Sequence, residues 1–498
     1  MWLELIGTLL AGILIYEVYF RWTRRKMFAS VRDMQGPINL PVIGCSYLFF
    51  GDKSPISIGR ALHNLVTGYT SPLTGWLGPY LVVILAKPEH CKTVLNSSSC
   101  LDKTVHYRFF DLDALLASEG TLWKSRRKRL NLSFTPKILN SFFGIFNKKA
   151  RQFIDGSMKL ADGIERNMYT EFAKWTLDNI CATLFELELD DHVDKEEYLK
   201  KVELFLPLVM KRVFKIHHYS DFIYHLANDY TVFSTSRRNV REVTEKALVQ
   251  KFAERQTATD DGTTTGEKTS RAKPLLDMLY DMVSDTSQAM TVEEMAHHMD
   301  EIIYAGFDTT ATTISNVILL LAMHPEVQER VYQETMSICP DPNVEITQED
   351  CNELVYTEMV IKETMRLYPV GSLFGRAVTE ELKLDDQFTL VEGTIILISS
   401  SKMHRDPEIW GPQANDFNPD HFLPEKIAQR HPYSYLPFSG GPRNCIGARY
   451  AMLSMRLILA YFVRAFRVRT SLRLEDLQTS FEMIQRVKNG CLVSLIPR

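Results

Sequence analysis

The stretch Pro437–Ala451, PFSGGPRNCIGARYA, decides the reading of this sequence. Its single cysteine, Cys445, stands in the pattern F-x-x-G-x-R-x-C-x-G, formed by Phe438, Gly441, Arg443, Cys445 and Gly447, with Ala451 four residues further on. Glycines permit a tight loop whose amides point at the sulfur. The residues after Gly447 run into a helix, whose positive end adds to those amides. Both effects lower a thiol pKa, which suits a thiolate that binds iron. Arg443 supplies a fixed positive charge, and the small Gly447 and Ala451 let the following helix pass close to what the sulfur holds. A lone loop cysteine is more often a small buried hydrophobe, so support has to come from the rest of the chain.

Four further stretches supply it. In TVEEMAHHMDEIIYAGFDTTATTISNVILLLAMHP, Thr291 and Glu294 form a capping box and Pro325 ends the run. The spacing predicts a helix of about 33 residues, roughly 50 Å long. Gly306, Asp308, Thr309, Thr310, Thr312 and Thr313 crowd its otherwise apolar middle. ETMR, Glu363–Arg366, places a carboxylate and a guanidinium on one helix face. WKSRR holds Trp123 and Arg127, and FNPDHF spans Phe417–Phe422.

With these five patterns in this order, the chain resembles the haem-thiolate monooxygenases of the cytochrome P450 superfamily, of the microsomal type and nearest to its family-4 clan, which includes insect enzymes. The resemblance implies a mainly α fold with small β-sheets (α+β). It makes Cys445 the axial ligand of a haem iron. Arg443, Arg127 and Arg376 would neutralise the propionates, Trp123 would donate its indole N–H, and Phe438, Gly447 and Gly306 would shape the two sides of the ring. Gly306 would let the long helix open beside the iron. Thr309 and Asp308 would be catalytic, Thr309 holding the bound oxygen or a water and Asp308 linking that water to bulk. Glu363 and Arg366 would brace the cysteine loop. Two departures matter: His421 stands where the family usually has arginine, and Ala305 stands where family-4 enzymes often have the glutamate that esterifies the haem. The cofactor expected is therefore haem b, held without a covalent bond.

The implied reaction inserts one atom of O2 into a small hydrophobic substrate, a lipid, hormone or xenobiotic. Electrons would come from NADPH through NADPH–cytochrome P450 reductase, with cytochrome b5 as a second donor, docking on Lys124, Arg126, Lys128 and Arg129. Residues 102–119, 204–233, 370–374 and 481–484 would line the pocket. Two other readings stay open: a haem-thiolate enzyme that rearranges peroxides without electrons, and a haem carrier or sensor without turnover.

Bulk properties agree. The 57 basic and 61 acidic residues of the 498 leave a net charge of −4, which excludes a general nucleic-acid binder. Eight scattered cysteines without C-x-x-C spacing read as reduced thiols. Trp2–Phe20 is apolar and long enough to span a bilayer, and Arg21, Arg24, Arg25 and Lys26 follow it. That predicts an uncleaved single-pass anchor in the endoplasmic reticulum membrane with the catalytic domain cytosolic. Residues 1–26 are thus read as anchor and basic stop, 27–44 as a proline-rich spacer and 45–498 as one domain with a flexible loop at 256–272.

Overall fold

The structure, a computed structural model, describes residues 1–51, 54–189, 195–260, 275–284, 290–482 and 484–498. It is mainly helical with small sheets. The helices that position the site are α1 (Trp2–Thr23), α2 (Pro55–Gly68), α3 (Gly120–Leu130), α4 (Tyr169–Leu184), α5 (Lys195–Phe214), α6 (Asn228–Asp260), α7 (Val292–Met323), α8 (Val355–Leu367) and α9 (Ala448–Ala465). The strands that matter are β1 (Leu73–Leu77), β2 (Tyr80–Leu85), β3 (Leu373–Ala377), β4 (Ile395–Ser399), β5 (Thr479–Glu482) and β6 (Ile484–Val487).

Helix α7 starts where its cap requires. The Thr291 hydroxyl accepts from the Glu294 N–H, and the Glu294 carboxylate accepts from the Thr291 N–H. The helix runs 32 residues through the main hydrophobic core, which explains why a segment apolar enough for a membrane is nonetheless interior. It continues without a break through Gly306. A Cβ there would lie 2.5 Å from Ile180 Cδ1, so this glycine lets α4 pack against α7 and opens no gap in the helix.

The four-stranded sheet has the order β1-β2-β4-β3. β1 and β2 form a hairpin, β4 lies parallel to β2, and β3 lies antiparallel to β4 with Arg376 opposite Ile396. The stretch Leu382–Ser399 alternates like one hairpin, but the structure divides it. Leu382–Lys383 pairs with Thr389–Leu390, whereas Ile395–Ser399 leaves to become an inner strand. Ile395, Ile396 and Ile398 are all buried, so β4 needs cover on both faces. A second hairpin, β5–β6, carries Arg486 towards α7.

Helix α1 leaves nearly all its apolar side chains exposed, Leu3, Leu9 and Ile15 among them. Its end is fixed to the globule, because Phe20 packs edge-on against Trp76 at 4.9 Å and Phe28 stacks on the same indole at 4.7 Å. The proline-rich segment is stitched to β1 rather than standing off from it. The N–H groups of Thr74 and Trp76 donate to the Gln35 carbonyl and to Asn39 Oδ1, both at 2.8 Å, and a Cβ on Gly36 would meet the Thr74 carbonyl at 1.8 Å. Within the polar segment 256–272, residues 256–260 finish α6 and the rest lie outside the described residues.

Candidate active site

Seven of the eight cysteines are buried and free, as small hydrophobes would be; Cys445 is exposed. Its loop is built on Gly441, whose φ of +67° is left-handed and whose added Cβ would sit 1.9 Å from the Leu95 carbonyl oxygen. The loop is closed by the Asn444 N–H donating to the Gly441 carbonyl (3.2 Å) and the Cys445 N–H to the Phe438 carbonyl (3.0 Å). Gly447 needs no special conformation. It caps α9, and a Cβ there would approach Cys445 Sγ to an ordinary 3.9 Å. Although Cys445 is accessible at its surface, the protein packed around its sulfur excludes enough water to push the thiol up, while the amides of Gly447 and Ala448 and the charges of Arg127 and Lys103 draw it down. The thiol stays raised until a metal cation supplies the missing positive charge and takes the proton's place.

A cationic rim surrounds this sulfur. Arg443 donates to the carbonyls of Ser118 (2.8 Å) and Leu116 (2.9 Å) and lies 4.7 Å from the Trp123 ring centre. Arg376, 1 % exposed, donates to the Gly375 carbonyl and to Ser439 Oγ. Arg127 holds Asn444 by its carbonyl (2.7 Å) and Oδ1 (2.9 Å), tying α3 to the cysteine loop. Lys103 completes the rim, its ammonium 4.9 Å from the Tyr107 ring centre. Burial, then Arg376 and Arg443, hold Lys103 well below the usual lysine range, and burial pushes Arg443 down to about 10. Among the described residues none of the four cations has a carboxylate within 4 Å, and the Trp123 indole N–H has no hydrogen-bond partner. Cations that repel one another, with Arg376 and Arg443 buried and Lys103 and Arg127 half-buried, fit a ligand with two carboxylates, as the propionates of haem would provide. Lys103 escaped the sequence reading, because it is a single basic residue outside every motif.

Across from the loop, Ala305, Gly306 and Thr309 are partly or fully exposed on α7, whereas Ile302, Ile303, Tyr304, Phe307 and Asp308 are buried. The Thr309 hydroxyl donates to the Ala305 carbonyl at 2.6 Å. Asp308 does not join Thr309. It points the other way, where its carboxylate accepts from the Tyr169 hydroxyl (2.6 Å) and from Arg486 (2.7 and 2.8 Å). Burial lowers Arg486, but Asp308, Tyr169 and Glu482 together outweigh it and the net shift is upward. Arg486 and Tyr169 also line a polar pocket. Thr312 Oγ1, Ser315 Oγ and Asn316 Nδ2 line that chamber, buried and without partners. Such groups hold ordered water. The expected link from Thr309 to bulk through Asp308 is therefore closed by Arg486 and Tyr169.

Glu363 and Arg366 are fully buried and paired through two bonds of 2.7 Å. Arg366 also donates to the carbonyls of His404, Ala414 and Asp416. Glu363 further accepts from the Asn418 N–H, and His421 Nδ1 lies 3.0 Å from its Oε1, so histidine fills the third place in the network. Burial raises Glu363, but its hydrogen bonds to Arg366 and His421 outweigh this and hold it below the usual carboxylate range. The network reaches the cysteine loop through His404 Nε2, which accepts from the Leu436 N–H.

Of the proposed docking residues, Arg126 is misplaced. It is 4 % exposed and pairs with Asp113 (2.6 Å) and Glu294 (2.8 Å). Lys124 and Lys128 are exposed and Arg129 is half-buried. The pocket segments behave more as expected. An apolar cavity is lined by Tyr107, Phe110, Met210, Phe214, Phe374 and Phe481, among others, although Phe109 packs into the main core.

Comparison with known proteins gives a consistent picture. The family described as Cytochrome P450 matches residues 34–490. Probable cytochrome P450 313a4 of Drosophila melanogaster is 28 % identical over 503 residues, covering 99 % of this chain and all of the relative. Cytochrome P450 4c3 of the same fly is 32 % identical, covering 98 % of this chain and 94 % of its own. Human cytochrome P450 4V2 is 30 % identical, covering 91 % and 88 %.

Proposed function

This chain belongs to the cytochrome P450 family and is a haem-dependent monooxygenase, and from that premise we propose that it oxidises a small hydrophobic lipid, hormone or xenobiotic with electrons passed from NADPH by NADPH–cytochrome P450 reductase. The observation that carries the reading is the exposed Cys445 beside four cations that, among the described residues, have no carboxylate within 4 Å. Haem b bound there supplies an iron that activates oxygen, with the thiolate donating electron density to it. Arg376, Arg443 and Lys103 would hold the propionates, while Arg127 ties the cysteine loop to α3 through Asn444 and Trp123 would offer its indole N–H nearby. Ala305 carries no group able to esterify the ring, so the haem is non-covalent.

Thr309 is the hydroxyl on the exposed stripe of α7; its Oγ1 proton rests on the Ala305 carbonyl and would be the one this side of the site can give up. Asp308 can relay a proton to that side after its carboxylate leaves Arg486 and Tyr169, which makes Arg486 the restraint on proton entry. Thr309→Ala is expected to keep consuming NADPH while product falls about 10- to 100-fold and hydrogen peroxide accumulates. Unchanged coupling of product to NADPH would remove Thr309 from this role.

The reductase, and cytochrome b5 as a second donor, dock beside α3 on Lys124 and Lys128. Lys124→Glu with Lys128→Glu should slow haem reduction several-fold at low salt, with substrate affinity unaltered. Reduction at the wild-type rate would dismiss the patch. The exposed apolar length of α1 and the basic residues after it support a single-pass anchor in the endoplasmic reticulum membrane, with the catalytic domain in the cytosol. The functional test is product formation from a panel of lipids, hormones and insecticides with NADPH and reductase. Turnover that needs peroxide and no NADPH would favour a rearranging enzyme instead.

A further inference from the structure

Among the described residues, His106 is the one side chain of fixed hydrogen-bonding polarity in the wall of the apolar cavity. The short 3-10 helix Val105–Phe110 turns Tyr107 and Phe110, three residues apart, to the cavity and sends Phe109 into the core. His106 stands at the boundary. Its ring packs edge-on against those of Tyr219, Tyr80 and Phe109, with centres 5.4, 5.6 and 5.9 Å away, and it also lines the cavity.

Hydrogen bonding sets the tautomer of this ring. The Tyr219 hydroxyl donates to the Val213 carbonyl at 2.7 Å, so towards His106 Nε2, 3.1 Å away, it accepts. Nε2 therefore carries the ring proton. Burial, then the charge of Arg108, pushes His106 down to about 4, which keeps the imidazole neutral. A neutral ring protonated at Nε2 leaves Nδ1 as a bare acceptor. Nδ1 has no hydrogen-bond partner among the described residues and is not sealed off, and the space its residue borders is the apolar cavity.

The other polar side chains of the wall discriminate less. Cys45, Thr104 and Tyr107 carry S–H or O–H groups that rotate to meet donors or acceptors, and the Thr74 hydroxyl is engaged by the Val82 carbonyl at 3.2 Å. The lining holds no Asp, Glu, Lys or Arg among the described residues. A charged head group placed there would lose its water without gaining a counter-charge. A carboxylate would also have no proton for Nδ1, whereas an alcohol brings a proton and no charge. The cavity adjoins the cationic rim, because Lys103 lies against the Tyr107 ring and Gly375 of the lining precedes Arg376.

We propose that His106 selects the substrate and that the enzyme takes neutral apolar alcohols, whose hydroxyl donates to His106 Nδ1 while the hydrocarbon body lies against Phe110, Phe214 and Phe374. This deepens the monooxygenase reading and rests on it.

The test is equilibrium dialysis of the purified, full-length enzyme, in one fixed detergent, against 1-decanol, its isomer methyl nonyl ether, and decanoate. The alcohol and the ether contain the same atoms, and the alcohol alone has a proton to donate. His106→Phe and His106→Leu should each lower the ratio of alcohol affinity to ether affinity by about five- to tenfold, and either variant that stays folded suffices. A histidine that only supported the fold would weaken both ligands alike and leave the ratio where it was. Wild-type enzyme should bind decanoate more weakly than 1-decanol. A ratio unchanged in His106→Phe or His106→Leu, or decanoate bound as tightly as 1-decanol or more so, overturns the proposal. The reduced carbon monoxide spectrum of the same preparation reports on the thiolate separately. An intact spectrum with an unchanged ratio counts against His106 alone.

Discussion

Replacing Arg366 by methionine is expected to leave no haem protein to purify. The guanidinium is fully buried and makes five hydrogen bonds, two to Glu363 and one each to the carbonyls of His404, Ala414 and Asp416. Its loss strands a buried carboxylate, at about 3–5 kcal/mol. Each orphaned carbonyl adds about 1–3 kcal/mol. Domains are stable by only about 5–15 kcal/mol, so the sum consumes most or all of the margin. Arg366→Lys should fail as well, because a single ammonium cannot reproduce the planar fork that reaches Glu363 and three carbonyls together. Haem absorbance per protein and far-ultraviolet circular dichroism read the outcome. A methionine variant that loads haem at the wild-type level would refute the bracing role.

Asp308→Asn should lower stability as well as product yield, and the pairing of the two losses distinguishes its position from that of Thr309. Asparagine removes the shorter of the two carboxylate contacts of the partly buried Arg486 guanidinium, leaving only Glu482 at 3.9 Å among the described residues, and weakens the Tyr169 hydrogen bond. A broken buried pair costs about 3–5 kcal/mol, so the melting temperature should fall measurably. Thr309→Ala removes an exposed hydroxyl that holds a helix carbonyl, and its stability should stay within about 0.5 kcal/mol of wild type. Adding Arg486→Gln to Asp308→Asn should restore stability but not the coupling of NADPH to product. Wild-type stability in Asp308→Asn would mean that the ion pair is not what holds the carboxylate away from Thr309.

What could be read from the sequence were features whose residues lie close together in it. The cysteine loop, the capping box of α7 and the Glu363–Arg366 pair each fall within fifteen residues or fewer, and each stands in the structure as a unit. What could not be read depends on partners far along the chain. Asp308 meets Arg486 from a hairpin 178 residues later, which turns an expected relay into a restrained one. Gly306 looks like a hinge until Ile180 of α4 is seen against it. The basic run 124–129 looks like one patch, but on a helix Lys124 and Lys128 share a face while Arg126 turns inward to Asp113 and Glu294. Lys103 carries no motif at all; it becomes legible once its ammonium is seen against the Tyr107 ring and its charge within reach of the Cys445 sulfur.

The central claim is that the sulfur of Cys445 is bonded, as an anion, to the iron of a haem seated in the cationic rim. The reduced carbon monoxide difference spectrum of the purified full-length enzyme tests it most directly, with Cys445→His measured beside the wild type. The account predicts the strongly red-shifted band of thiolate ligation in the wild type and its absence in the histidine variant. A wild-type protein that stays colourless after haem supplementation, or a band that survives Cys445→His unaltered, would contradict it.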